Sequence, residues 1–121
     1  MATILVVDDS ASLRQVVAIS LQGKGYTVIQ ASNGKEALSK CDGSKINLVV
    51  SDVNMPIMDG MTFVTEMKKL PRYKFTPVIM LTTEAGDDMK NKGRAVGVKA
   101  WVVKPFKPDQ MLTAVAKLIL P

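Results

Sequence analysis

The stretch Thr3-Ile4-Leu5-Val6-Val7-Asp8-Asp9-Ser10 decides how the rest of the chain is read. Thr3–Val7 is a short run rich in β-branched residues, as expected of a strand buried on both faces. Two carboxylates end it. Beyond them Leu13, Val16, Val17 and Leu21 recur at helical spacing until Gly23-Lys24-Gly25 closes the segment. Strand, polar turn and helix therefore follow one another directly.

That unit repeats outward along the chain. Thr27–Ala31 reads as a second strand, and Asn33-Gly34 turns into a short helix carrying Ala37, Leu38 and Cys41. Ile46–Val50 is a third strand, followed by a loop with Met55-Pro56 and Asp59-Gly60 and a helix lined by Met61, Val64, Met67 and Leu70. Pro77–Leu81 and Ala100–Val103 supply two further strands, separated by a helix over Asp87–Val96 with Gly93 inside it and Gly97 past its end. Pro108-Asp109 opens a last helix with Leu112, Val115, Ala116 and Ile119 on one face. Five strands alternating with five helices imply right-handed crossovers and a parallel sheet covered on both sides, a doubly wound α/β fold. Periodicity fixes this class and leaves the strand order open.

Composition agrees and excludes other classes. The 121 residues suit one domain over 1–121, and 47% hydrophobic with 22% charged residues is a globular profile. Apolar runs such as Ile4–Val7 are far shorter than the roughly 20 residues a spanning helix needs. The Met1–Val7 segment runs into two aspartates instead of a small-residue cleavage site, so no secretory leader is expected. One cysteine, Cys41, cannot form an internal disulfide and suits a reducing, cytoplasmic setting. The chain has no histidine, which excludes Ser–His and Cys–His nucleophile pairs and His-ligated metals. Sixteen Lys and Arg against eleven Asp and Glu give +5, but the lysines are scattered and the few aromatics do not alternate with them. Neither a nucleic-acid nor a membrane partner is expected.

In an open parallel sheet, ligands bind beyond the carboxyl ends of the strands. The residues that follow the apolar runs there are Asp8-Asp9, Asp52, Thr82 and Lys104. Each has a simple structural explanation: a helix-end carboxylate, a strand threonine, a surface lysine. Together they make a different inventory. Three clustered carboxylates repel one another unless a cation intervenes, and a hard divalent ion with oxygen ligands, Mg²⁺, meets that need. One carboxylate can then attack phosphorus to give an aspartyl phosphate. Lys104 and the Thr82 hydroxyl would hold the oxygens of the transferred group. No GxxxxGK[ST] or GxGxxG occurs, so nucleotide phosphate cradles are absent. A haloacid-dehalogenase-type phosphatase has a similar inventory in another order, with its nucleophile in a DxDx[TV] motif after the first strand, which Asp8-Asp9-Ser10 is not.

Four stretches carry a family resemblance: Val6-Val7-Asp8-Asp9-Ser10, Ser51-Asp52-Val53-Asn54-Met55-Pro56-Ile57-Met58-Asp59-Gly60, Leu81-Thr82-Thr83-Glu84-Ala85 and Val103-Lys104-Pro105-Phe106. In order and spacing the chain resembles the receiver domain of two-component response regulators over essentially its whole length. The resemblance implies the strand order 2-1-3-4-5. It implies Asp52 as phosphoacceptor, Asp8 and Asp9 as the acidic pocket, and Asp9, Asp52 and the Asn54 carbonyl as direct Mg²⁺ ligands. Thr82 would bond the phosphoryl group and report it, Lys104 would pair with it, and the Lys104–Pro105 bond would be cis. Asn54 and Glu84 fall where the family tunes acyl-phosphate hydrolysis. Trp101 stands where receivers commonly carry Tyr, Phe or His as a switch residue. It either gates or simply covers apolar surface beside the last helix.

The resemblance also implies the partners. A histidine kinase of the CheA type would be the phosphodonor. An output protein, such as a flagellar motor switch component, would bind the surface of the fourth helix, fifth strand and fifth helix. There Lys90, Lys92, Lys99, Trp101 and Lys107 form a basic patch by position. A phosphatase would be a further partner. No output domain is expected after the last helix, so the chain reads as a monomeric, stand-alone regulator of the chemotaxis type, with self-catalysed phosphoryl transfer and hydrolysis. The alternatives are an intermediate carrier in a multistep phosphorelay, an aspartyl-phosphate phosphatase acting on small substrates, and a passive interaction module.

Overall fold

The computed structural model describes residues 2–83 and 86–119. Its elements are β1 (Thr3–Val7), α1 (Ala11–Gln22), β2 (Thr27–Ala31), α2 (Gly34–Lys40), β3 (Leu48–Asp52), α3 (Gly60–Lys68), β4 (Val78–Thr82), α4 (Asp87–Val96), β5 (Val98–Val103) and α5 (Pro108–Leu118), with a 3₁₀ turn at Pro71–Tyr73. All neighbouring strands pair in parallel, in the order β2-β1-β3-β4-β5. This is the doubly wound sheet, and the strand order, that the sequence and the resemblance imply.

Strand parity builds two cores. Ile4, Val6, Leu48, Val50, Ile79 and Leu81 face one side, where Val17 and Leu21 of α1 and Met111 and Val115 of α5 cover them. Leu5, Val7, Val49, Val78 and Met80 face the other, beneath Ala37 of α2 and Phe63, Val64 and Met67 of α3. Each of these side chains is almost fully removed from water, so truncating a large one to alanine costs about 2–5 kcal/mol.

Several boundaries and faces differ from the periodicity reading. β3 runs Leu48–Asp52, not Ile46–Val50, because Ile4 pairs with Leu48 and the ladder continues to Asp52 against Leu81. Asp52 and Thr82 are thus the last residues of their strands. β5 starts at Val98 instead of Ala100, with a bulge that leaves Lys99 unpaired between the Val78–Val98 and Ile79–Ala100 pairs. A bulge inverts parity, so Val98 joins one core while Ala100 and Val102 join the other. On α1, Ala18 is buried and Val16 is 50% exposed; on α5, Met111 is buried and Ala116 is exposed. Those helices are rotated slightly from the faces assigned by spacing, because small and sulfur-containing side chains take core positions that hydrophobic strength alone does not mark. Cys41 caps α2 just past its end.

The helices all begin at the carboxyl edge of the sheet, and their caps set that edge. The Leu13 N–H donates to Ser10 Oγ at 3.3 Å, the Glu36 N–H to Asn33 Oδ1 at 2.8 Å, and the Thr62 N–H to Asp59 Oδ1 at 2.8 Å. Gly60 lets the start of α3 press against the end of β3. A Cβ there would run into the Asp52 carbonyl oxygen and lie 3.2 Å from Ser51 Oγ. The Gly60 N–H closes the loop by donating to the Val53 carbonyl at 2.8 Å.

Candidate functional site

The carboxyl edge brings Asp8, Asp9, Asp52, Thr82 and Lys104 together. Asp8 leaves β1 with its N–H donating to the Ala31 carbonyl at 3.1 Å, and the residue is 1% exposed. Its Oδ1 accepts the Ser10 N–H at 2.9 Å, and its Oδ2 lies 3.4 Å from Lys104 Nζ. Asp52 Oδ1 accepts the Val53 N–H at 2.8 Å, which leaves Oδ2 facing Lys104 Nζ at 3.2 Å. Asp9 stays exposed at the mouth. One carboxylate oxygen from each of Asp8, Asp9 and Asp52 lies within 4.8 Å of the other two.

Lys104 reaches this point because β5 ends one residue earlier and its N–H donates to the Thr82 carbonyl at 2.7 Å. The Lys104–Pro105 bond is cis, as the resemblance implies. Thr82 is 1% exposed and pairs in register with Val103, so the hydroxyl residue and the lysine sit side by side at the ends of β4 and β5. Asn54 is exposed two residues beyond Asp52. Glu84, which the resemblance assigns to tuning hydrolysis, lies outside the described residues.

The donor set suits a hard divalent cation. Three carboxylates share one small volume with a single ammonium against them, one of the three opens to water, and nitrogen or sulfur ligands are absent from the cluster. Burial pushes the Asp8 carboxyl above its ordinary value of 3.8; the Ser10 N–H and Lys104 pull it back, and Asp52 adds to the rise. The folded chain therefore holds the Asp8 proton more tightly than the unfolded chain. Stability contributed by Asp8 falls as pH rises from 3.8 through its folded-state pKa, and stays lower above it. Asp8→Asn keeps an acceptor for the Ser10 N–H and removes the charge. Without Mg²⁺ it is expected to raise stability at neutral pH by about 1 kcal/mol in urea unfolding, with the gain vanishing in acid. Equal midpoints at neutral pH would mean that Lys104 already cancels the cost of burial.

Three supports of the site escape a reading by strand ends. Arg14 Nη1 donates to the Asp8 carbonyl at 2.7 Å and its Nε donates to Gln30 Oε1 at 3.2 Å, fixing the turn after β1 from the first turn of α1. An arginine at the positive end of a helix is the available clue. Ser51 Oγ donates to the Asp52 carbonyl at 2.8 Å. The Gly34 N–H donates to the Met58 carbonyl at 2.9 Å, tying the loop after β3 to α2, while Ile57 in that loop has φ 70° and is 76% exposed.

Trp101 is half-buried against the core formed with α2, α3 and α4, on the opposite side of the sheet from α5. Its ring fills the place of a missing side chain: a Cβ on Gly93 of α4 would strike Cζ2 and stand 3.1 Å from Cη2. The ring thus packs against the fourth helix and also borders the groove beside the last one. Around the edge of β5, a groove of about 860 Å³ is lined by Lys99, Trp101, Lys104, Gln110, Thr113 and Lys117, among others. Lys90, Lys92 and Lys107 of the positional patch do not line it.

Known proteins agree with this geometry. The model of the response regulator receiver domain family matches residues 4–116. The chemotaxis protein CheY1 of Helicobacter pylori is 37% identical over 108 residues, covering 88% of this chain and 87% of its own. The structure of the chemotaxis protein CheY4 of Vibrio cholerae superposes with a TM-score of 0.94 at 45% identity, covering 98% of this chain and 99% of that one. The response regulator TrrA of Thermotoga maritima, solved in complex with Mg²⁺-BeF, gives a TM-score of 0.86 at 34% identity over 98% of this chain and 100% of that one.

Proposed function

Because this chain belongs to the response regulator receiver family, we propose that Asp52 accepts a phosphoryl group from a phosphohistidine and that the change is read on the face of α4, β5 and α5. The observation that carries this reading is the Lys104 ammonium set between Asp8 and Asp52, at 3.4 and 3.2 Å, beside the open carboxylate of Asp9. The chain has no histidine, so the donor nitrogen belongs to a partner. An Asp52 oxygen attacks phosphorus in line with that nitrogen. The O–P bond forms as the N–P bond breaks, and the departing imidazole takes up a proton from water.

Held by Asp8, Asp9, Asp52 and the Asn54 carbonyl, Mg²⁺ would supply positive charge against the phosphoryl oxygens. Lys104 offers its ammonium to another oxygen once Asp52 is phosphorylated, and Thr82 its hydroxyl to a third. Drawing Lys104 and Thr82 inward pulls the ends of β4 and β5, and Trp101 two residues back along β5 carries the change toward α4. Water attacks the acyl phosphate in turn, so the chain is a transient phosphoacceptor and not a metabolic catalyst.

The likeness to CheY1 and CheY4 supports a chemotaxis pathway, with a CheA-type kinase as donor and a motor switch component as the output partner. Transfer from a purified, labelled histidine kinase tests the reading. Label should leave the kinase, appear on this chain, and be released by alkali or hydroxylamine as an acyl phosphate is. Label stable to both reagents would place it on a hydroxyl and overturn the assignment to Asp52.

A further inference from the structure

The end of the molecule opposite the acidic pocket gathers what the sequence scatters. Every crossover runs from the carboxyl edge of one strand to the amino edge of the next, so helices start near the pocket and finish at the far pole. Three of the five helices carry acidic residues in their first turns, Glu36 on α2, Asp87 and Asp88 on α4 and Asp109 on α5, while α1 and α3 carry none. Basic residues occupy the last turns, with Lys40 on α2, Lys68 on α3, Arg94 on α4 and Lys117 on α5. This matches the helix dipoles and also polarises the whole domain. The loops at the far pole add exposed Lys45, Arg72 and Lys74. Of the acids there, Glu66 is paired with Lys69 at 2.7 Å, and Asp42 Oδ1 accepts from the N–H and the hydroxyl of Ser44.

Beside these charges, in the same loop as Arg72 and Lys74, stands a large apolar side chain that is mostly open to solvent. Phe75 is 80% exposed, with Lys74 Nζ 5.6 Å from its ring centre. It is displayed from a firm base. Its neighbour Tyr73 is buried, donating its hydroxyl to the Ser44 carbonyl at 2.7 Å and accepting the Gly43 N–H at 2.9 Å, while Thr76 and Pro77 are buried on the other side. The groove along β5 and α5 includes neither Phe75, Arg72 nor Lys74.

We infer that this pole docks on an anionic lipid surface, with Phe75 entering the headgroup layer and Arg72, Lys74 and Lys45 meeting the lipid charges. A bound peptide would be expected to use a groove and fixed hydrogen-bond partners. An exposed phenyl ring with one ammonium at its face and further exposed cations on the loops of the same pole fits a fluid plane of negative charge instead. Peripheral docking needs no spanning segment, so it is compatible with the absence, among the described residues, of a helix long and apolar enough to cross a membrane. It also leaves the acidic pocket facing away from the lipid and open to a donor.

Sedimentation of the full chain with phosphatidylglycerol–phosphatidylcholine vesicles at low ionic strength tests this, with pure phosphatidylcholine as the comparison. Binding should require the anionic lipid and fall about tenfold in Phe75→Ser. It should fall about fivefold for each charge lost in Arg72→Gln and Lys74→Gln. Phosphoryl acceptance should be unchanged in Phe75→Ser, which separates this inference from the receiver chemistry. No binding to anionic vesicles, or binding indifferent to all three substitutions, would overturn it. Binding to polyglutamate or duplex DNA but not to vesicles, lost in the same variants, would also overturn the lipid assignment and transfer the pole to another class of partner.

Discussion

Lys104→Ala is expected to leave a folded chain about 2–3 kcal/mol less stable at neutral pH in the absence of Mg²⁺, and to uncouple phosphorylation from output. The ammonium lies 3.4 Å from Asp8 and 3.2 Å from Asp52, and those carboxylates are nearly removed from water. Removing the lysine leaves their charges facing each other with Asp9 close by. The loss should shrink as pH falls, because a protonated Asp8 no longer needs a counter-charge, and it should shrink again when Mg²⁺ is added. Urea unfolding at neutral and acid pH, each with and without Mg²⁺, measures this directly. A deficit that ignores both pH and Mg²⁺ would assign Lys104 to packing by its aliphatic stem. Asp52 remains available in this variant, so phosphoryl acceptance should persist while the response of partner affinity to phosphorylation falls at least about tenfold.

The second large effect concerns the contact beneath α4. Gly93→Leu places a branched side chain where the Trp101 ring lies, and even a Cβ there collides with the indole. Overpacking of this kind costs about 1–3 kcal/mol, more than the roughly 1 kcal/mol gained by removing a glycine from a helix. The variant should therefore be destabilised, with the ring driven out and its fluorescence shifted to the red. Combined with Trp101→Ala, the same leucine should fill the vacated space and recover part of the loss. A double-mutant cycle should return a coupling above about 1 kcal/mol. Strict additivity would mean that the two residues do not share this space. The pair links β5 to α4 by shape.

Much of this site was legible before any coordinates, and for a physical reason. Strands buried on both faces announce themselves as apolar runs, and in a parallel sheet the first polar residues after each run converge. Asp8, Asp9, Asp52, Thr82 and Lys104 stand out on that ground, and the motifs around them point to the family. Features that depend on how elements meet were not legible. The bulge at Lys99 changes which way Trp101 faces, and no local pattern marks it. Arg14 supports Asp8 through its backbone carbonyl, a contact with no sequence spacing of its own. Ala18 and Met111 took core places that spacing gave to Val16 and Ala116, because rotation of a helix by part of a turn depends on its neighbours. The charged pole belongs to the same class: its lysines are far apart in the chain and are assembled by topology alone.

Intact mass after incubation with acetyl phosphate tests the central claim most directly. The chain should gain a single phosphoryl group only when Mg²⁺ is present, Asp52→Asn should gain none, and Trp101 fluorescence should change as the adduct forms. An adduct that survives in Asp52→Asn, or that forms equally well with Mg²⁺ chelated, would contradict the assignment of this acidic pocket as a metal-assisted phosphoacceptor site.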